Sequence, residues 1–166
     1  MKNVKTIGYW SAILSAIFSI AYAIPQVLTI IKPIPSPWDL IYLFTPSLFI
    51  ASSFLILMVT IYQYASEDKK IWGLIGLAFA IIYATLVSIV YFVELGVVVP
   101  RIFQGDTNDI TLLLFTPGSF MVAIDALGYG FLSLSALFAS RIFYGGNLER
   151  WTRFSLTALG LLAPVI

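Results

Sequence analysis

The sequence has no cysteine and no histidine. The first absence excludes disulfides, iron–sulfur clusters, thiolate metal sites and thiol nucleophiles. The second removes the commonest metal ligand, the usual haem ligand and the usual general base near neutral pH. Charge is scarce as well: Asp, Glu, Lys and Arg make up 10% of the 166 residues, against roughly 25% in a soluble globular domain. So few charged groups cannot solvate every outward helix face in water. The net charge is +1 and no basic tract is present, which leaves no footprint for nucleic acid. No cofactor, metal-ligand set or catalytic residue is assigned from the pattern.

What is present is apolar. Hydrophobic residues make up 60% of the chain and the mean hydropathy is +0.99. Four stretches reach the roughly 20 residues needed to cross a ~30 Å hydrocarbon core. The first runs from about Gly8 to Ile31, disturbed only by Pro25 and Gln26. The second follows the Pro33-Ile34-Pro35-Ser36-Pro37 turn and runs from about Trp38 to Tyr64. The third, Ile71 to Val99, lies between the polar loop Ser66-Glu67-Asp68-Lys69-Lys70 and Pro100-Arg101, which is expected to end the helix. The fourth runs from about Gly118 to Tyr144.

A signal peptide competes for the first stretch, because Lys2 and Lys5 precede it and Ala21-Tyr22-Ala23 fits a cleavage pattern, but apolar residues continue past Ala23. After Arg153 a further apolar run, Phe154 to Ile166, ends short of a full span, about 20 Å of helix. It reads as the start of a fifth helix, or as a short re-entrant segment. The expected fold is therefore an all-α polytopic transmembrane bundle of four full spans plus the start of a fifth. The expectation is one transmembrane domain over 1–166, with a C-terminus that reads as truncated.

Orientation follows from the positive-inside rule. Lys2, Lys5, Lys69, Lys70, Arg141, Arg150 and Arg153 fall on one side, and only Lys32 and Arg101 on the other. The expectation is a multi-pass protein of the cell membrane with a cytoplasmic N-terminus.

The chain also reads as a two-helix repeat. Phe44-Thr45-Pro46-Ser47-Leu48-Phe49 is expected to open the second helix, and Phe115-Thr116-Pro117-Gly118-Ser119-Phe120 the fourth. Small residues recur every fourth position, at Ser11, Ser15, Ser19 and Ala23 and again at Gly76, Ala80, Ala84 and Ser88. Such ladders let membrane helices approach closely, within the chain or against partner helices and further copies.

Two acids lie inside the spans, Glu94 and Asp125. Ionisable groups there are expensive and mark candidate sites. Glu94 is about 13 Å beyond the midpoint of its helix and Asp125 about 9 Å from the midpoint of its own, both toward the outer side. Tyr83, Tyr91 and Glu94 share one flank of the third helix at about 100° per residue. Tyr129 and Ser133 follow Asp125 at four-residue spacing, and Gln26, Lys32, Asp39 and Arg101 also sit toward the outer side. The candidate ligand site is thus Asp125, Glu94, Tyr129, Tyr91, Tyr83, Gln26 and Arg101. The blander readings are a Glu94–Arg101 pair at the interface, a structural hydrogen bond for Asp125, and tyrosines that only pack. Asp106-Thr107-Asn108-Asp109 lacks a calcium-loop pattern and reads as an exposed turn.

The runs Phe115–Phe120, Asp125-Ala126-Leu127-Gly128-Tyr129 and Leu148-Glu149-Arg150-Trp151 resemble those of small uncharacterised prokaryotic polytopic membrane proteins. The resemblance covers most of the chain and implies the class, a continuation past this C-terminus, and no activity. Three functions compete: a binding or transport protein with an outer-half pocket for a small or lipid-like ligand, a structural or assembly subunit, and a lipid-active enzyme using paired carboxylates. Membrane lipids are partners in each, and the enzyme reading is the weakest because no nucleophile motif or phosphate loop supports it.

Overall fold

A computed structural model describes residues 2–162, and those residues form an all-α bundle. The long helices are α1 (Lys2–Ile31), α2 (Trp38–Tyr64), α3 (Lys70–Val93), α5 (Phe120–Ser140) and α6 (Asn147–Leu162). Between α3 and α5, a π-helical turn at Glu94–Val98 passes into a short α4 (Val99–Gln104), followed by a 3₁₀ segment at Asn108–Leu113. Among the described residues four helices are long and apolar enough to cross a membrane: 3–31, 38–64, 67–104 and 120–140. Helices suit that setting because each backbone donor and acceptor is satisfied within its own segment.

Each long helix packs against the next, with α3 held between α2 and α5, α1 outside α2, and α6 outside α5. Ring contacts give the register: Phe54 meets Tyr83 edge-on, and Phe79 stacks on Phe131. Small residues set the spacing. On α3, Gly73, Gly76, Ala80 and Ala84 are buried. A Cβ on Gly76 would stand 3.1 Å from the Ser135 carbonyl oxygen and 3.2 Å from Met58 Cε. Across the same seam, Ser135 Oγ donates to the Gly76 carbonyl at 2.8 Å, and a Cβ on Gly128 would lie 2.7 Å from Val87 Cγ1. On α1, Ser15 donates to Ser53 of α2 at 2.8 Å, whereas Ser19 and Ala23 face outward. The α3 ladder is therefore an interhelical seam, and the α1 ladder is one only at its first half.

Three local expectations change. Pro100-Arg101 does not end the third helix, which continues to Gln104. Pro100 stands in the first turn of α4, where its missing amide proton is least needed, because the π turn just before has already reset the hydrogen-bond ladder. The stop comes instead at Gly105, whose φ of 72° is the left-handed conformation that glycine adopts at little cost. Next, Phe44–Phe49 does not open α2. That helix begins at Trp38 and runs through Pro46, with the Ser47 hydroxyl donating to the Leu43 carbonyl at 2.7 Å in the turn that the proline disturbs. The second copy does open its helix: Gly118 turns at φ 80° and Ser119 accepts from the Val122 amide as N-cap. Finally, the fifth helix starts at Asn147, earlier than the apolar run suggested.

The seam yields a paired test. Gly128→Ala is expected to lower stability by about 1–3 kcal/mol through overpacking against Val87. Gly130→Ala, where an added Cβ meets nothing within 4 Å, is expected to be neutral or to stabilise by up to about 1 kcal/mol. Unfolding midpoints of the two variants in detergent check the opposite signs.

Candidate functional site

Asp125 lies in the second turn of α5, half-buried, with Tyr129 one turn further on. From α3, Tyr83 and Tyr91 approach the same region and are both buried. Tyr91 and Tyr129 bring their hydroxyls to 3.3 Å, and the Tyr83 and Tyr129 rings are 6.1 Å apart. From α2 come Leu43, Phe44 and Ser47, from α1 Tyr22, and from the connection before α5 Phe115. These residues surround a cleft of about 160 Å³ lined by Tyr22, Leu43, Phe44, Ser47, Tyr91, Phe115, Asp125 and Tyr129. A smaller space of about 40 Å³ shares Tyr22, Ser47, Tyr91 and Tyr129 and adds Ile50 and Tyr83.

The electrostatics of the cleft are one-sided. Asp125 Oδ1 is buried and has no hydrogen-bond partner, the Tyr91 hydroxyl is the one side-chain donor set toward the carboxylate, and no Lys or Arg is among the lining residues. The aromatic walls present π faces and three phenol oxygens. Phe44 is 5.4 Å from Tyr91 and meets Phe115 edge-on at 5.1 Å between centroids. The two copies of the Phe-Thr-Pro motif thus converge on this wall, although only one of them begins a helix.

Glu94 occupies a different place. It opens the π turn, is fully buried, and neither carboxylate oxygen has a hydrogen-bond partner. Its turn packs on α2 and on the 3₁₀ segment at Asn108–Leu113, and Glu94 does not line the Asp125 cleft. Asp39 Oδ1, in the first turn of α2, is likewise buried without a partner. There the N-terminal helix dipole favours a carboxylate.

The remaining candidates lie elsewhere. Gln26 is exposed on α1, one turn beyond Tyr22. Arg101 pairs with Asp106 at 3.2 Å, not with Glu94. Glu94 keeps the buried flank of α3 that carries Tyr83, Val87 and Tyr91, while the π turn that it opens re-aims α4, so that Arg101 faces the residues just past the Gly105 turn. Of the seven candidates, four (Asp125, Tyr129, Tyr91 and Tyr83) come together around these two spaces, which share Tyr91 and Tyr129 in their walls. Tyr22, Phe44, Ser47 and Phe115 were missed. Phe44, Ser47 and Phe115 carried a signal, since all three belong to the repeated Phe-Thr-Pro motif. Tyr22 carried none beyond being a polar aromatic among small and aliphatic residues.

No group of three or more Asp, Glu, His or Cys able to hold a metal ion occurs among the described residues. No family model, curated protein or solved structure matches this chain. The class therefore rests on physics: an all-α helical bundle whose four apolar helices fit an integral membrane protein.

Glu94 gives a test of its own. Replacing buried polar atoms that lack partners with an apolar group of similar shape removes a desolvation cost. Glu94→Met is expected to raise stability by about 1–3 kcal/mol, read from the unfolding midpoint in detergent. A clear fall in that midpoint counts against an unpartnered Glu94.

Proposed function

We propose that this is a binding or transport-type integral membrane protein that takes a small organic cation into the Asp125 cleft. The observation that carries the reading is the Asp125 carboxylate, with a buried oxygen free of partners, ringed by Tyr22, Phe44, Tyr91, Phe115 and Tyr129 without a basic side chain. A carboxylate taken out of water needs a counter-charge, and the protein supplies none at this place. Aromatic faces attract ammonium groups, most strongly where water is displaced. Volume narrows the class: with about 30 Å³ for each water in the liquid, a cleft of about 160 Å³ suits a compact ammonium and not a lipid chain. The bias of Lys and Arg toward the other end of the chain's spans supports a cleft in the half of the membrane away from the cytoplasm.

A structural or assembly role is the second reading, favoured by α1. Its most apolar 18-residue window has no buried residue, so lipid or a partner helix covers Ile17, Ile20 and Ile24. The acid–base enzyme is not supported, since Glu94 and Asp125 do not line a common space.

Choline and its uncharged carbon isostere 3,3-dimethylbutanol separate charge from shape. Isothermal titration of the full chain in detergent is expected to show choline binding and much weaker binding of the isostere. Asp125→Asn is expected to weaken choline by about 10- to 100-fold, the range of a charge-assisted contact, with an unchanged unfolding midpoint. Equal binding of the two ligands, or an Asp125→Asn variant that binds choline as wild type does, rejects the reading.

A further inference from the structure

The opposite end of the bundle, which carries the connections 65–69 and 141–146, holds a second and larger groove of about 430 Å³ between α3, α5 and α6. It is lined by Trp72, Leu137, Phe138, Ser140, Arg141, Arg153 and Thr157. Its composition is graded along the membrane direction. Arg141 stands just past the end of α5, and Arg153 lies in the second turn of α6. Leu137 and Phe138 lie within the last turn of α5, and Trp72 in the first turn of α3 with its ring stacked on Phe138 at 5.9 Å.

The two guanidinium groups are left without counter-charge. The ion pairs among the described residues are Lys70–Glu67 and Arg101–Asp106, and neither involves Arg141 or Arg153. Glu149, one helical turn before Arg153 on α6, is the natural partner by spacing. It is engaged elsewhere, accepting from the Tyr64 hydroxyl at 2.8 Å and from the Tyr144 amide at 3.1 Å. Arg153 instead lies over the Tyr144 ring, 4.4 Å from its centroid, which fixes its direction without neutralising it.

We propose that this groove binds one anionic phospholipid, its phosphate held by Arg141 and Arg153 and an acyl chain lying along Leu137 and Phe138. Planar guanidinium forks match phosphate oxygens, and anionic lipids concentrate in the leaflet on the side where Lys and Arg gather. Trp72 sits where indole rings prefer to be, between headgroup and chain. The Ser140 hydroxyl is not a donor to the headgroup, since it is committed to the Leu137 carbonyl at 2.7 Å. The site is independent of the Asp125 cleft, and either can fail without the other.

The phosphate chemistry is shared by a lipid headgroup and a free phosphate ion, so the test separates them. The full chain is reconstituted in nanodiscs of phosphatidylcholine and phosphatidylglycerol, and the lipids retained on its release are counted by native mass spectrometry. Wild type is expected to retain phosphatidylglycerol in preference to phosphatidylcholine, with excess inorganic phosphate displacing none of it. Arg141→Gln with Arg153→Gln is expected to cut that preference by about tenfold or more, from the loss of two cationic contacts near an anionic lipid. Arg141→Gln alone, at an exposed position outside the helices, is expected to lose part of it with the unfolding midpoint unchanged. Arg150→Gln, which removes the same charge from the same face outside the groove, is expected to leave it intact. Three results overturn the proposal: no preference in wild type, a loss in Arg150→Gln equal to that in the double variant, or displacement by inorganic phosphate.

Discussion

The approach of α3 to α5 governs the rest of the bundle. Between membrane helices there is no hydrophobic drive of the kind found in water, so contact depends on how closely backbones can come and on the few polar bonds between them. Here both work along one line. Gly76 and Gly128 remove the side chains that would hold the helices apart, and Ser135 then reaches the Gly76 carbonyl. Further along the same seam, this spacing sets the Tyr91 and Tyr129 hydroxyls 3.3 Å apart and turns Asp125 toward the space between four helices. The cleft thus borders the tight packing itself: Gly128 lets α5 close on Val87 of α3, and its neighbour Tyr129 lines the space beside that contact.

Irregular backbone gathers at the same end as the buried acids. Pro25 and Pro46 interrupt the ladders of α1 and α2, the π turn follows Val93, and the connection from Gly105 to Ser119 turns twice through left-handed glycines. The other end is built differently. It relies on ring stacking, a Lys69 ammonium donating to the Ile142 carbonyl and lying over Tyr144, and the bonds of Glu149. One end carries Asp39, Glu94 and Asp125, each with a buried oxygen that lacks a partner, and the other carries the cations Lys69, Arg141 and Arg153 among aromatic rings.

The spans were legible because an apolar run of sufficient length is a one-dimensional property, visible without knowing any neighbour. The grouping of Asp125 with Tyr129, and of Tyr83 with Tyr91, followed from helical spacing alone. The rotation of one helix against another was not legible, and it decides which flank meets which. Glu94 shares a flank with Tyr91 and is buried as Tyr91 is, but further along the helix, where its turn packs on α2 and the Asn108–Leu113 segment instead of the cleft, and Arg101 beyond the π turn finds Asp106. Proline misled twice for one reason. Its effect depends on whether the surrounding turn can spare an amide, as the first turn of α4 does at Pro100, and α2 runs on through Pro46 with the rest of its ladder intact on either side. Tyr22 entered the cleft unannounced, since membership there is decided by the packing of α1 on α2 and not by anything in α1's own pattern.

The π turn at Glu94–Val98 is, in effect, an α-helix holding one surplus residue. Such a turn shifts the phase of everything that follows by about 100°, the angular step of a single residue. The edge contact between Phe103 of α4 and Trp38 of α2 therefore belongs to the shifted phase and not to the phase of α3. The bundle in this way carries two azimuthal settings on one continuous rod, one serving the seam with α5 and the other fastening the rod's tip to the start of α2. A shortening of this segment by one residue would restore a uniform helix and swing the tip away from its anchor, so chain length at this point is itself a structural specification.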